Sequence, residues 1–159
     1  MNPEFTTYLL ALEVAPMTVG QAYEQLPMHC TVMHRFHSVL TPTELVAALQ
    51  PIFSATAPIE LLPAEHVAFG PKKQLVTLVE QTPHLLALHA ELFAALNKLG
   101  VQYTEADWVG DGYVPHVTDK QGKRLPARSS TLSSAAYLIS VQHPLQGHAR
   151  FIEHKFELL

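Results

Sequence analysis

The reading of this chain turns on two stretches, Met28-His29-Cys30-Thr31-Val32 and Pro115-His116-Val117-Thr118-Asp119. Each sets a histidine and a threonine two residues apart inside a short run of β-forming character. Side chains on a strand alternate between faces, so residues i and i+2 share one. His29 with Thr31, and His116 with Thr118, therefore each present an imidazole and a hydroxyl in the same direction. Brought together by the fold, the two pairs would surround one phosphate.

Histidine titrates near neutral pH, so one imidazole can take a proton while another gives one. Cleaving or forming a phosphodiester at a ribose needs that pair. A base deprotonates the attacking water or hydroxyl, and an acid protonates the leaving oxygen on the far side of phosphorus. Threonine hydroxyls can donate to the non-bridging oxygens as charge develops there. Such a site needs no metal and no cofactor, and the sequence leaves open which histidine is acid and which is base. A single H-x-T carries little weight, since the ten histidines of this chain give about one match by chance. Placement carries more: each copy sits in a strand-like run, one in each half of the chain.

Outward from the two motifs, the pattern is strand and helix in alternation. Residues 6–14 form an apolar β run, and 15–27, with Pro16, Gly20 and Pro27, read as a loop with one helical turn near 21–26. Residues 28–36 are the first motif strand. Thr41-Pro42-Thr43-Glu44 is a helix start, with a capping hydroxyl, proline at the first turn and a glutamate three residues on. Pro51 predicts a kink or an end to that helix. Residues 59–62 and 66–69 read as short strands, 70–73 as a turn and 74–80 as a strand. Thr82-Pro83 opens the longest helix, with Leu85, Leu88, Leu92, Leu96 and Leu99 as its buried stripe and Gly100 as its stop. A loop follows, then strands over 113–118, 135–143 and 149–158, with a turn ending at Gly147. His84 and His89 read as helix surface.

Composition bounds the function. The 159 residues are 48% hydrophobic and 15% charged, with a net charge of −4. That suits one folded domain over 1–159 and disfavours both disorder and a protein that coats long DNA, where clustered positive charge supplies the affinity. Cys30 is the only cysteine, so no internal disulfide forms. No run approaches the roughly 20 apolar residues that span a bilayer. The expectation is a soluble, cytoplasmic monomer with no membrane partner.

Several residues around the motifs are candidates for binding. Arg35 and Phe36 follow the first motif and could edge a cleft. Trp108, in an acidic glycine-containing loop, and Tyr113 could stack on a base, as could Phe69. Among Lys72, Lys73, Lys120, Lys123, Arg124 and Arg128, one or two are expected to meet phosphate. Cys30, His34 and His37 have the composition of a metal site, but strict alternation puts Cys30 and His34 on one face and His37 on the other, so no metal is expected.

At these residues the chain resembles the 2H phosphoesterases, which include 2′-5′ RNA ligases and cyclic nucleotide phosphodiesterases. The resemblance runs from His29-Cys30-Thr31-Val32 through Phe69-Gly70-Pro71 to Tyr113-Val114-Pro115-His116-Val117-Thr118. It implies an α+β bilobal fold, with two pseudo-symmetric lobes, each a mainly antiparallel sheet packed by a helix, around a central cleft. It also implies that His29 and His116 are the acid/base pair and that Thr31 and Thr118 hold the phosphate. The implied substrate is a small nucleotide or RNA end with a 2′,3′-cyclic or related phosphate, or a 2′-5′ linkage, handled without a metal. One position departs from the family pattern: Asp119 stands where a hydrophobic residue follows the second threonine, pointing away from the His116/Thr118 face. It keeps open a rival reading, a non-catalytic nucleotide-binding module using the same cleft.

Overall fold

The computed structural model describes residues 4–142 and 149–159. The turn expected at Gly147 lies outside them. The elements in chain order are β1 (Thr6–Glu13), β2 (Ala22–Tyr23), β3 (His29–Ser38), α1 (Pro42–Ser54), β4 (Ile59–Leu61), β5 (Pro63–Phe69), β6 (Gln74–Val79), α2 (Pro83–Lys98), β7 (Gln102–Tyr103), β8 (His116–Thr118), β9 (Thr131–Ser133), β10 (Ala135–Gln142) and β11 (Ala149–Glu157). The protein is α+β. One antiparallel sheet runs β2-β11-β10-β1-β3-β8-β6-β5, with β7 pairing on β3, and β4 pairs with β9 apart from it. The two motif strands, β3 and β8, lie side by side in the middle of that order.

Local chemistry sets the helices. Thr41 Oγ1 accepts from Glu44 N–H at 3.2 Å and Thr82 Oγ1 from Leu85 N–H at 3.3 Å, so each helix begins on a threonine cap followed by proline. Leu45, Leu49 and Phe53 of α1, and Leu85, Leu88, Leu92 and Leu96 of α2, pack on Tyr8, Leu10, Leu12, Cys30, Val32 and Val117. Both helices thus cover one face of the sheet. The alternation that buries Cys30 and Val117 on that face turns His29, Thr31, His116 and Thr118 to the other. A smaller cluster on the opposite face joins Met17 and Leu26 to Leu9, Tyr137, Ile139 and Ile152, and so holds the 15–27 segment against the sheet beside the motifs.

Four expectations change. Residues 21–26 form no helical turn; Ala22 and Tyr23 extend and pair with β11, where Gln21 C=O accepts from Ile152 N–H at 3.0 Å. The helix runs through Pro51 to Ser54, since only its last turn lies beyond the missing N–H. The strand over 113–118 shrinks to His116–Thr118, because Pro115 has no N–H for a ladder. His89 is not on the helix surface but 3% exposed.

Candidate active site

The register between β3 and β8 builds the site. Cys30 pairs with Val117 in antiparallel fashion, which sets His29 beside Thr118 and Thr31 beside His116. On the face away from the helices these four side chains make a square. Two of its sides are cross-strand neighbours, the other two are the His-x-Thr pairs along each strand, and its histidines are diagonal, about 7–8 Å apart at the backbone. Each corner histidine adjoins a threonine from the other motif.

The two imidazoles are held in the same way. His29 Nδ1 lies 2.8 Å from Pro27 C=O and His116 Nδ1 2.9 Å from Val114 C=O. A carbonyl only accepts, so both Nδ1 atoms carry the proton and both Nε2 atoms keep a lone pair. Each partner is the residue two positions earlier, so the device is the same in both motifs. Burial, then the charge of Lys120, hold the pKa of His29 to about 4 despite the opposing hydrogen bond to Pro27. Burial also lowers that of His116.

A cavity of about 580 Å³ is lined by three corners of the square, His29, Thr31 and Thr118, together with His34, Arg35, Lys120 and Arg150. A neighbouring recess of about 290 Å³ shares His34, Arg35 and Arg150 and is walled by Phe69, Trp108 and His116. Here the rings gather: the Phe69 centroid lies 4.8 Å and that of Trp108 6.4 Å from His116, with Phe69 and Trp108 edge to face at 5.2 Å. The His34 ring meets Trp108 edge-on at 5.4 Å. Its Nδ1 accepts from Arg35 N–H at 2.9 Å, so in the neutral ring the proton sits on Nε2, opposite to the two corner histidines.

The candidates from sequence divide. Arg35, Phe69 and Trp108 line the cleft. Phe36 does not; it lies on the Cys30 face, fully buried beneath the helices against Tyr8, because two extra residues in the strand before it cancel in parity. Tyr113 is buried too, and its hydroxyl donates to Thr31 C=O at 2.8 Å, behind the square. Its ring stacks on His89 at 4.0 Å. His89 donates from Nδ1 to Val32 C=O at 2.7 Å and accepts at Nε2 from Gly110 N–H at 2.9 Å, tying α2, β3 and the Trp108 loop together. Cys30 is buried on the helix side while His34 lines the cavity. Among the described residues no three His, Cys, Asp or Glu side chains stand together as metal ligands. Asp119, expected to point away from the Thr118 face, instead lines the cavity with Thr118, at the end of β8 where strict alternation stops, and reaches His66 Nε2 at 2.9 Å.

Sequence reading misses Arg150 and His34 as cleft residues. Arg150 has no local signal, because it arrives from β11, remote in sequence from the first motif. Its Nη1 donates to Glu24 C=O at 2.7 Å, which fixes it over the cavity mouth.

An antiparallel sheet covered on one face by two helices, with paired His and Thr side chains on the other, is the arrangement expected of the 2H phosphoesterase superfamily. A family model described as the 2′-5′ RNA ligase superfamily matches residues 13–149, and the chain belongs to that family. Among solved structures, Escherichia coli LigT complexed with NADP+ aligns at a TM-score of 0.64 with 12% identity, covering 98% of each chain. LigT complexed with 3′-AMP gives the same score and identity over 98% of this chain and 99% of that one. TT0787 of Thermus thermophilus is 17% identical at a TM-score of 0.55, over 96% of this chain and 97% of that one. At these identities the likeness is one of fold. A sequence search of curated proteins found no match. No helix among the described residues is long and apolar enough to cross a membrane.

Proposed function

We propose that this protein is a metal-independent phosphoesterase that hydrolyses a 2′,3′-cyclic or related cyclic phosphate, or a 2′-5′ phosphodiester, of a nucleotide or RNA end. The observation that carries the reading is the square: two lone-pair Nε2 atoms at diagonal corners, with a hydroxyl at each remaining corner. Phosphorus sits over its centre. His29, which burial keeps unprotonated, takes the proton of the attacking water. His116 protonates the leaving ribose oxygen, charged by a proton taken up with the anionic substrate. Thr31 and Thr118 donate to the non-bridging oxygens. Water adds one oxygen to phosphorus and one P–O bond breaks, leaving a ribose hydroxyl and a phosphate monoester.

Two further observations support it. Escherichia coli LigT, of like fold, has been crystallised with 3′-AMP and with ATP, so small nucleotides suit this scaffold. Asp119, the residue that favoured a binding-only module, is engaged with His66 and leaves the square complete. The test is turnover of 2′,3′-cyclic mononucleotides and 2′-5′ oligoadenylate with chelator present. His116→Ala is expected to lower kcat by about 10²–10⁴-fold with its fold intact. Equal rates for the two proteins would remove the assignment.

A further inference from the structure

The cavity holds more positive charge than one phosphodiester calls for. Arg35 from β3, Lys120 from the loop after β8 and Arg150 from β11 all line the same space. They come from three separate parts of the chain; Lys120 lines only the cavity beside His29, and Arg35 and Arg150 stand where that cavity meets the recess beside His116. They are close enough to disturb one another: Arg35 lowers the pKa of Arg150 after burial does, and Arg150 does the same to Lys120. Two acidic residues share the lining, Glu24 and Asp119. Glu24 meets Arg150 through its backbone carbonyl, and the Asp119 carboxylate lies on His66. A protein of net charge −4 gathers three cations in one partly buried lining, an arrangement that favours a bound anion.

The shape is divided in the same way. The aromatic recess flanks His116, whereas Lys120 lines the cavity beside His29 and not the recess. A phosphodiester on the square has one negative charge, met there by the two hydroxyls and by the proton that His116 takes up with the substrate.

We propose that the cleft binds two phosphates, one over the His29–Thr31–His116–Thr118 square and a second against Arg35, Lys120 and Arg150, with the base of the substrate in the Phe69–Trp108 recess. This rests on the phosphoesterase reading for the first phosphate and narrows its substrate. The preferred substrate carries another phosphate beside the one that reacts. Either the 5′-phosphate of the same nucleotide or the next phosphate of an RNA end supplies that chemistry.

The experiment has a binding and a kinetic arm. By calorimetry, adenosine 3′,5′-bisphosphate should bind wild type about tenfold or more tightly than 3′-AMP, the worth of one good charge-assisted contact. That preference should fall to about twofold or less in Lys120→Gln and in Arg150→Gln. Lys120 sits in a half-buried turn outside the hydrophobic core, so its variant remains informative if loss of the Arg150–Glu24 contact loosens the fold. In the kinetic arm, kcat/KM is compared for adenosine 2′,3′-cyclic phosphate, its 5′-phosphorylated form and a dinucleotide ending in the cyclic phosphate. A gain with the 5′-phosphorylated form assigns the subsite to the same nucleotide, and a gain with the dinucleotide alone assigns it to an RNA end. A bisphosphate preference without turnover of any cyclic phosphate supports the second subsite and overturns the catalytic reading. Turnover with no preference in wild type, or a preference that both variants keep, overturns the second subsite.

Discussion

The Nδ1–H of His29 and of His116 each point back along their own strand to a carbonyl two residues earlier. A hydrogen bond of that kind selects the tautomer and aims the other nitrogen outward, and it works only because Pro27 and Val114 bring their carbonyls within reach. Burial then does the rest. His29, His34, His89 and His116 all have pKa values lowered by it. Each stays neutral in the folded chain at pH values where the unfolded chain takes a proton. The unfolded state therefore binds more protons between the ordinary value of 6.5 and about 4, the folded value of His29, so stability rises with pH across that window and is lost as pH falls. The melting temperature is expected to drop by several degrees over it, and His29→Asn to flatten part of the slope. A melting temperature independent of pH in that range would contradict the burial of these rings.

Among the elements, β3 does the most. Its pairing with β1 slips twice, between Leu10 and Ala11 and between Tyr8 and Leu10, and each time the extra residue is in β3. Val32 and Met33 are consequently both buried on the helix side, and His34 and Arg35 both reach the cleft. Strict alternation would have put His34 with Cys30. Bulges are a usual way to re-aim side chains beside a site, and here they add two groups to one strand's contribution. The Trp108 loop is the second element that walls the cleft. It closes over itself so tightly that a Cβ on Gly112 would lie 1.8 Å from the Asp107 carbonyl oxygen. Gly112→Ala must shift the loop. The expected result is a several-fold rise in KM with a smaller change in kcat, accompanied by a change in fluorescence from Trp108, the only tryptophan. Unchanged emission and KM would show that the loop does not shape the cleft.

At the scale of the molecule, charge is sorted rather than abundant. The net charge is −4, yet Arg35, Lys120 and Arg150 meet in the cavity. Attraction of an anionic substrate to that cleft is screened by salt over a Debye length of about 10 Å at 0.1 M. KM for a phosphate substrate should therefore rise with ionic strength while kcat holds, since in the proposed function the groups on the square contact the reacting phosphate directly and are little screened. A KM indifferent to salt would mean that the three cations do not act on the substrate. The sheet makes the convergence possible, because β3 and β8 sit at its middle and β11 brings Arg150 in across β10 and β1.

The sequence by itself determined what short-range chemistry determines. Thr41 and Thr82 with the prolines after them start the helices, the leucines of α2 mark its buried stripe, and His29-x-Thr31 and His116-x-Thr118 share faces because a strand has period two. Those signals span a few residues and survive whatever the rest of the chain does. The tertiary structure decided what depends on pairing between distant segments. The Cys30–Val117 register makes a square from two separate pairs. The bulges set against β1 send His34 to the cleft, and the fold delivers Arg150 from β11. It also turns His89 inward to join Val32 and Gly110. A strand's local pattern says which residues share a face. It does not say which strand lies alongside, in what register, or where an extra residue will be absorbed, and those are what place the second half of an active site.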